Sequence, residues 1–102
     1  MTEIKVVVHS VHFHADQKLV DFVKNKANKL SKLYENIIEC EVFLKVDNVS
    51  EIENKVSEIK LFIPGSDLFA KKTAKTFEEA TDMAVDALRR QLKKRKQKVW
   101  GV

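Results

Sequence analysis

The chain holds one cysteine, one proline and two glycines in 102 residues. A lone cysteine excludes an internal disulfide framework and a cysteine-based zinc cluster. Two glycines leave no room for a glycine-rich phosphate loop, and neither a P-loop nor a dinucleotide fingerprint is present. No apolar run approaches the roughly 18 residues that a membrane span needs. The opening Met1-Thr2-Glu3-Ile4-Lys5 lacks the basic-then-apolar layout of a signal peptide. A soluble, intracellular protein is therefore expected. Acids are missing from Leu88 to Val102, where seven Lys and Arg stand. The rest is ordinary for a folded chain. Hydrophobic residues make up 44%, which argues against disorder. The length suits one domain over residues 1–102, with 99–102 as a short tail.

Periodicity orders the elements. Ile4, Val6 and Val8 alternate with polar neighbours and predict a strand. A connector, His9 to His14, leads to Asp16, whose carboxylate can cap a helix. From Lys18 to Tyr34 the period is 3.6, with Leu19, Phe22, Val23, Ala27, Leu30 and Leu33 on one face. Ile38, Cys40, Val42, Leu44 and Val46 predict the buried face of a second strand. Asp47 to Asn54 reads as a polar turn. Ile59, Leu61 and Ile63 predict a third strand. Pro64-Gly65 suits the centre of a type II turn, because Pro fixes φ and Gly tolerates a positive one. Leu68, Ala70 and Ala74 mark a fourth, weaker strand. Thr76-Phe77-Glu78-Glu79 is a capping box ahead of a helix running to about Lys98. Its face is Phe77, Ala80, Thr81, Ala84, Leu88 and Leu92. The order is β-α-β-β-β-α, an α+β class. Its simplest closure is a four-stranded, mostly antiparallel sheet with two helices on one face.

Charge separates by segment. Gln17 to Tyr34 carries five Lys and one Asp, whereas Glu35 to Ile63 carries seven acids and three Lys. The helices are basic and the central strands acidic. At 100° per residue, Lys18, Asn25, Lys29 and Lys32 share a flank. Lys26 lies at the edge of the apolar stripe, where its stem can cover the core while its ammonium reaches water. Arg90 and Lys94 share a flank of the last helix, and Arg89 and Lys93 face outward. Arg95 falls on the apolar stripe, which suggests that the last turns project beyond the sheet. Acids early and cations late in that helix complement its macrodipole, and Asp86 is spaced to pair with Arg90. The excess of cations exceeds what capping needs, and a second basic flank lies on the other helix. Two such flanks are the electrostatic footprint of a nucleic-acid binder.

Other groupings carry less. His9, His12 and His14 could chelate only if their connector folded back, and no Cys or carboxylate run joins them, so no metal and no cofactor is expected. Cys40 alternates with core residues and reads as a small hydrophobe. Ser10, His12 and Asp16 are too local for a triad, and no paired carboxylates mark a cleft, so no enzyme is expected. Phe43, Phe62 and Phe69 are predicted on the sheet face opposite the helices. Such aromatics can stack bases, meet a protein, or hold the sheet. Their neighbours Glu39, Glu41 and Glu58 repel phosphate, which favours the last two roles.

The connector Val11-His12-Phe13 before Ala15-Asp16 and the stretch Lys29-Leu30-Ser31-Lys32-Leu33 resemble the ribosome hibernation promoting factors, also called ribosome-associated inhibitors. Thr76-Phe77-Glu78-Glu79-Ala80, followed by Leu88-Arg89-Arg90-Gln91-Leu92-Lys93-Lys94, is similar to that family's last helix. The resemblance implies a cytoplasmic protein that binds the small ribosomal subunit and its rRNA under starvation or in stationary phase. It would occupy the mRNA and A- and P-site tRNA channel, exclude both ligands and inhibit translation. Lys26, Lys29, Lys32, Arg90 and Lys94 match the family's rRNA-contacting pattern, with Arg89, Lys93 and Lys96 in support. Ala87 departs from it, standing where relatives are often basic. Ending at Val102, the chain resembles the short form of the family. Two alternatives remain at this level: a generic double-stranded RNA-binding module, although such domains begin with a helix, and a protein-interaction adaptor using the open sheet face.

Overall fold

Strand β1 (Lys5–Ser10) runs parallel to β2 (Glu39–Val46), with Val6 facing Cys40 and Val8 facing Val42. A parallel pair needs a long crossover, and helix α1 (Gln17–Asn28) with a 3-10 helix (Lys29–Lys32) supplies it. Strands β3 (Lys55–Ile63) and β4 (Ser66–Ala74) then add antiparallel, in the order β1-β2-β3-β4. Helix α2 (Phe77–Trp100) closes the chain. The structure is a computed structural model that describes residues 4–47 and 52–100, with side chains described as far as Arg95 in α2. The sheet is thus mixed: two of its three strand pairs are antiparallel, in line with the expected class.

Local chemistry sets the element ends. Asp16 accepts from the Leu19 N–H at 2.8 Å, the expected cap. Thr76 Oγ1 accepts from the Glu79 N–H at 3.1 Å. The Glu79 carboxylate takes the Lys75 N–H, one residue before the donor a standard capping box would use. Gly65 has φ +79°, as the second central residue of a type II turn requires. The first helix differs from expectation in its last turn. After Asn28 it tightens to 3-10, and Ser31 Oγ donates to the Asn28 carbonyl at 2.7 Å. Residues three apart eclipse in that geometry, so Lys29 and Lys32 line up.

Both helices cover one sheet face, α1 over β1 and α2 over β3 and β4. The core between them includes Val23, Ala27 and Leu30 from the first helical segment and Ala84, Leu88 and Leu92 from α2. They meet Cys40, Val42, Leu44, Ile59 and Leu61 of the sheet. The expected faces of β3, β4 and α2 therefore hold, and that of α1 holds apart from Phe22, which is half-buried beneath the Lys26 ammonium, 5.6 Å from its ring centroid, and is not packed on the core. Phe13 of the connector stacks on Phe77, centroids 4.9 Å apart, and ties β1's exit to the start of α2. Inside the core, Thr81 Oγ1 donates to Ser57 Oγ at 3.0 Å, both residues fully buried. Each hydroxyl thereby avoids the cost of an unmatched polar group.

Two strand positions depart from the alternation. Ile38 is 63% exposed and Val46 is 42% exposed, although both were expected on the buried face of β2. Ile38 stands before the strand proper, where Ile37 turns inward instead. Val46 lies beyond β1, whose Ser10 pairs with Leu44, so no strand flanks it on that side. Arg95 is a third departure. It does not leave the sheet: its guanidinium Nη2 lies 3.5 Å from the Pro64 carbonyl, against the β3–β4 turn.

Candidate nucleic-acid interface

Two cationic rows border the seam between the helices. Lys29 and Lys32 form one, on the 3-10 helix. Arg89 and Lys93 form the other, four apart on α2 and therefore on one side of it. Arg90 and Lys94 repeat that spacing one step around the helix. All six side chains are exposed. A groove of about 400 Å³ lies between the helices, reached by Lys29 of the first row and Arg89 of the second. Lys26, Lys29 and Arg89 stand on its walls together with Asp82 and Asp86, and Leu30, Leu33, Met83 and Val85 complete its lining. Two apolar stripes packing on one sheet face bring the walls together, because each helix carries its cations beside its stripe.

The seven expected contact residues therefore gather on the helical side, in two states of pairing. Lys26 Nζ reaches Asp82 Oδ1 across the helices at 2.9 Å, where water was expected to receive it. Arg89 and Arg90 both donate to Asp86, at 2.8 and 2.6 Å. Among the described residues, no carboxylate pairs with Lys29, Lys32, Lys93 or Lys94. Asp86 with Arg90 was legible from its four-residue spacing. Asp82 had no such signal, since its partner lies on another helix.

The opposite face corrects a premise. Phe43, Phe62 and Phe69 do share it, in register with Glu58, Asp67 and Lys60. Its acids are not bare, however. Lys5 lies 4.0 Å from Glu39, and Glu58 meets Lys45 as well as Lys71 at 4.0 Å. His9 stacks on Phe43 with centroids 4.7 Å apart and stands 3.4 Å from Glu41. The alternation puts Lys5, Lys45, Lys60 and Lys71 on this face beside Glu39, Glu41, Glu58 and Asp67, so its formal charge balances. It neither repels nor attracts phosphate strongly.

His12 sits in the connector with φ +63°, and both it and His14 are exposed. Among the described residues, no group of three or more His, Cys, Asp or Glu is placed to hold a metal ion. No described helix is long and apolar enough to cross a membrane.

Comparison with known proteins places this geometry. Residues 6–100 match the family described as sigma 54 modulation protein / S30EA ribosomal protein. A ribosome hibernation promoting factor of Pseudomonas putida is 32% identical over 95 residues, which are 93% of this chain and 89% of the relative. The N-terminal domain of Thermus thermophilus Protein Y has the same fold, with TM-score 0.75 at 20% identity, over 91% of this chain and 98% of that one. A ribosomal subunit interface protein from Coxiella burnetii aligns with TM-score 0.79 at 15% identity, over the same shares of the two chains.

Proposed function

From the premise that this chain belongs to the sigma 54 modulation protein / S30EA ribosomal protein family, we propose that it is a ribosome hibernation factor of the cytoplasm. It binds the small ribosomal subunit through rRNA phosphates. It lies in the channel that mRNA and the A- and P-site tRNAs otherwise fill, and it holds idle ribosomes out of translation under starvation or in stationary phase. The mechanism is occupancy, without catalysis and without a cofactor.

One observation carries this reading: Lys29, Lys32, Lys93 and Lys94 are exposed on the two helical segments that meet at one groove and, among the described residues, no carboxylate pairs with them. Cations so arranged neutralise phosphates and release counterions. The relative from Pseudomonas putida is named for ribosome hibernation, and it matches nearly the whole chain. The charge-balanced sheet face, by contrast, offers no comparable attraction for RNA.

The test is competition. Small subunits saturated with the protein are challenged with excess message and P-site tRNA, and bound protein is read by sedimentation. Displacement is expected. A stable complex holding all three at once contradicts occupancy of the channel.

The sheet face supplies a second check. Stacking on bases is worth roughly 1–3 kcal/mol per base where it occurs. Replacing Phe43 and Phe69 by Leu removes most of that and keeps apolar bulk. Subunit affinity should change less than tenfold, about 1.4 kcal/mol. A larger fall with circular dichroism unchanged would put RNA on the sheet.

A further inference from the structure

The cations assigned to RNA are not equally available in the free chain. Lys26 is held by Asp82 at 2.9 Å. Arg89 and Arg90 divide the two oxygens of Asp86, at 2.8 Å to Oδ1 and 2.6 Å to Oδ2. We propose that Asp82 and Asp86 act as an internal substitute for phosphate, keeping Lys26, Arg89 and Arg90 in reserve so that only the proper ribosomal site engages them. The proposal rests on the ribosome-binding reading and adds a source of specificity to it.

A carboxylate and a phosphate compete for the same guanidinium donors, because both present paired oxygens to the fork. An RNA of arbitrary shape meets Lys29, Lys32, Lys93 and Lys94 first, since no carboxylate among the described residues holds them. Engaging the other three fully means giving up or sharing the donors now bonded to carboxylate. It also brings phosphate beside Asp82 and Asp86, a repulsion that a poorly fitting RNA does not recover. A surface with phosphates placed for all three cations does recover it. Discrimination of this kind uses a repulsive element as well as attractive ones. The pairs can open, since exposed ion pairs are weak in water. Helix polarity does not account for Asp86. It stands nine residues beyond Phe77, the first residue of α2, and the dipole effect fades within the first turn.

The experiment compares the wild-type chain with Asp82→Asn combined with Asp86→Asn. The side chains of Asp82 and Asp86 are 62% and 35% exposed, so the amides leave no buried group unmatched. A control removes the same charge from exposed positions elsewhere on the two helices, with Asp21→Asn and Glu78→Gln. Each protein is titrated with an RNA duplex of about 20 base pairs and unrelated sequence, and separately with purified small subunits, over a range of salt. For the double Asn variant, duplex affinity at 0.1 M salt should rise by roughly a hundredfold or more. Its slope against log salt should steepen by roughly 2–3, as three freed cations imply. Subunit affinity should move less than threefold, and the control should change duplex binding less than threefold. An unchanged duplex affinity, or a control that matches the variant, overturns the proposal. So does an equal rise for duplex and subunit. A fall in subunit affinity overturns it too, since the carboxylates would then be positioning the cations. If the wild-type chain fails to bind subunits, the functional reading fails, and the duplex titration still reports on the reserve.

Discussion

Neutralising Lys29, Lys32, Lys93 and Lys94 together to Gln should weaken binding to the small subunit by roughly a thousandfold at 0.1 M salt. Each phosphate contact contributes roughly 0.7–0.9 to the slope of log affinity against log salt, and about the same to log affinity at that concentration. Four lost contacts thus remove about three logarithmic units of affinity and flatten the slope by about three. All four side chains are exposed, so their loss leaves the core untouched. Exposed substitutions usually shift stability by only about ±0.5 kcal/mol each. Urea unfolding of the variant checks this before binding is measured by sedimentation or fluorescence. Near-wild-type affinity with an unchanged slope would remove both helical flanks from the interface. The smaller change Arg90→Ala with Lys94→Ala should act in the same direction and less strongly, because Arg90 starts from its bond to Asp86.

The thiol of Cys40 should be almost inert in the native chain. The residue is fully buried on the central strand β2. Burial, with the charges of Glu39 and Glu41 added, pushes the thiol from an ordinary 9.0 up to about 12. Only the thiolate attacks alkylating and disulfide reagents. At pH 8 its population falls by about a thousandfold, three powers of ten for the change from 9.0 to about 12. Labelling of native protein should therefore run at least a thousandfold slower than labelling in denaturant, and proceed only through opening of the sheet. Native labelling within tenfold of the unfolded rate would contradict the buried placement of β2. The same residue links folding to pH. Above pH 9 the unfolded thiol ionises while the native one keeps its proton, so the unfolded state binds fewer protons and stability falls as pH rises. The loss approaches about 1.4 kcal/mol per pH unit and ends near pH 12. Cys40→Ala should remove that part of the slope, read from urea midpoints at pH 8 and 10.

Element type and core membership were readable because they follow from local rules. The 3.6 period put Val23, Ala27 and Leu30 inside, and Asp16 capped its helix as a residue of that kind before an apolar stripe should. Thr76 and Gly65 behaved likewise. The failures lie at ends and corners. Ile38 and Val46 depart from the expected buried face because they stand where β1 gives them no neighbour. Arg95 follows the helical stripe to the β3–β4 turn, a contact that depends on how far the sheet reaches beneath α2.

That both helices carry basic flanks was readable from net charge by segment and helical spacing, which need no partner, while the choice of seven cations among them came from the family resemblance. Their state of pairing was not readable. Arg90 with Asp86 is a local pair, whereas Lys26 with Asp82 joins residues 56 positions apart, and only the packing of α1 on α2 brings them together. The sheet face followed the same division. Alternation alone placed Phe43, Phe62 and Phe69 away from the helices, but strand register decided which lysines face Glu39 and Glu58, turning an apparently acidic surface into a balanced one. The chain by itself determined which groups carry charge and which face of each element is apolar, because periodicity and composition act over one or two turns. The tertiary structure decided which charges meet. Coulomb attraction depends on distances across elements, and those distances follow from the packing and register of the whole fold.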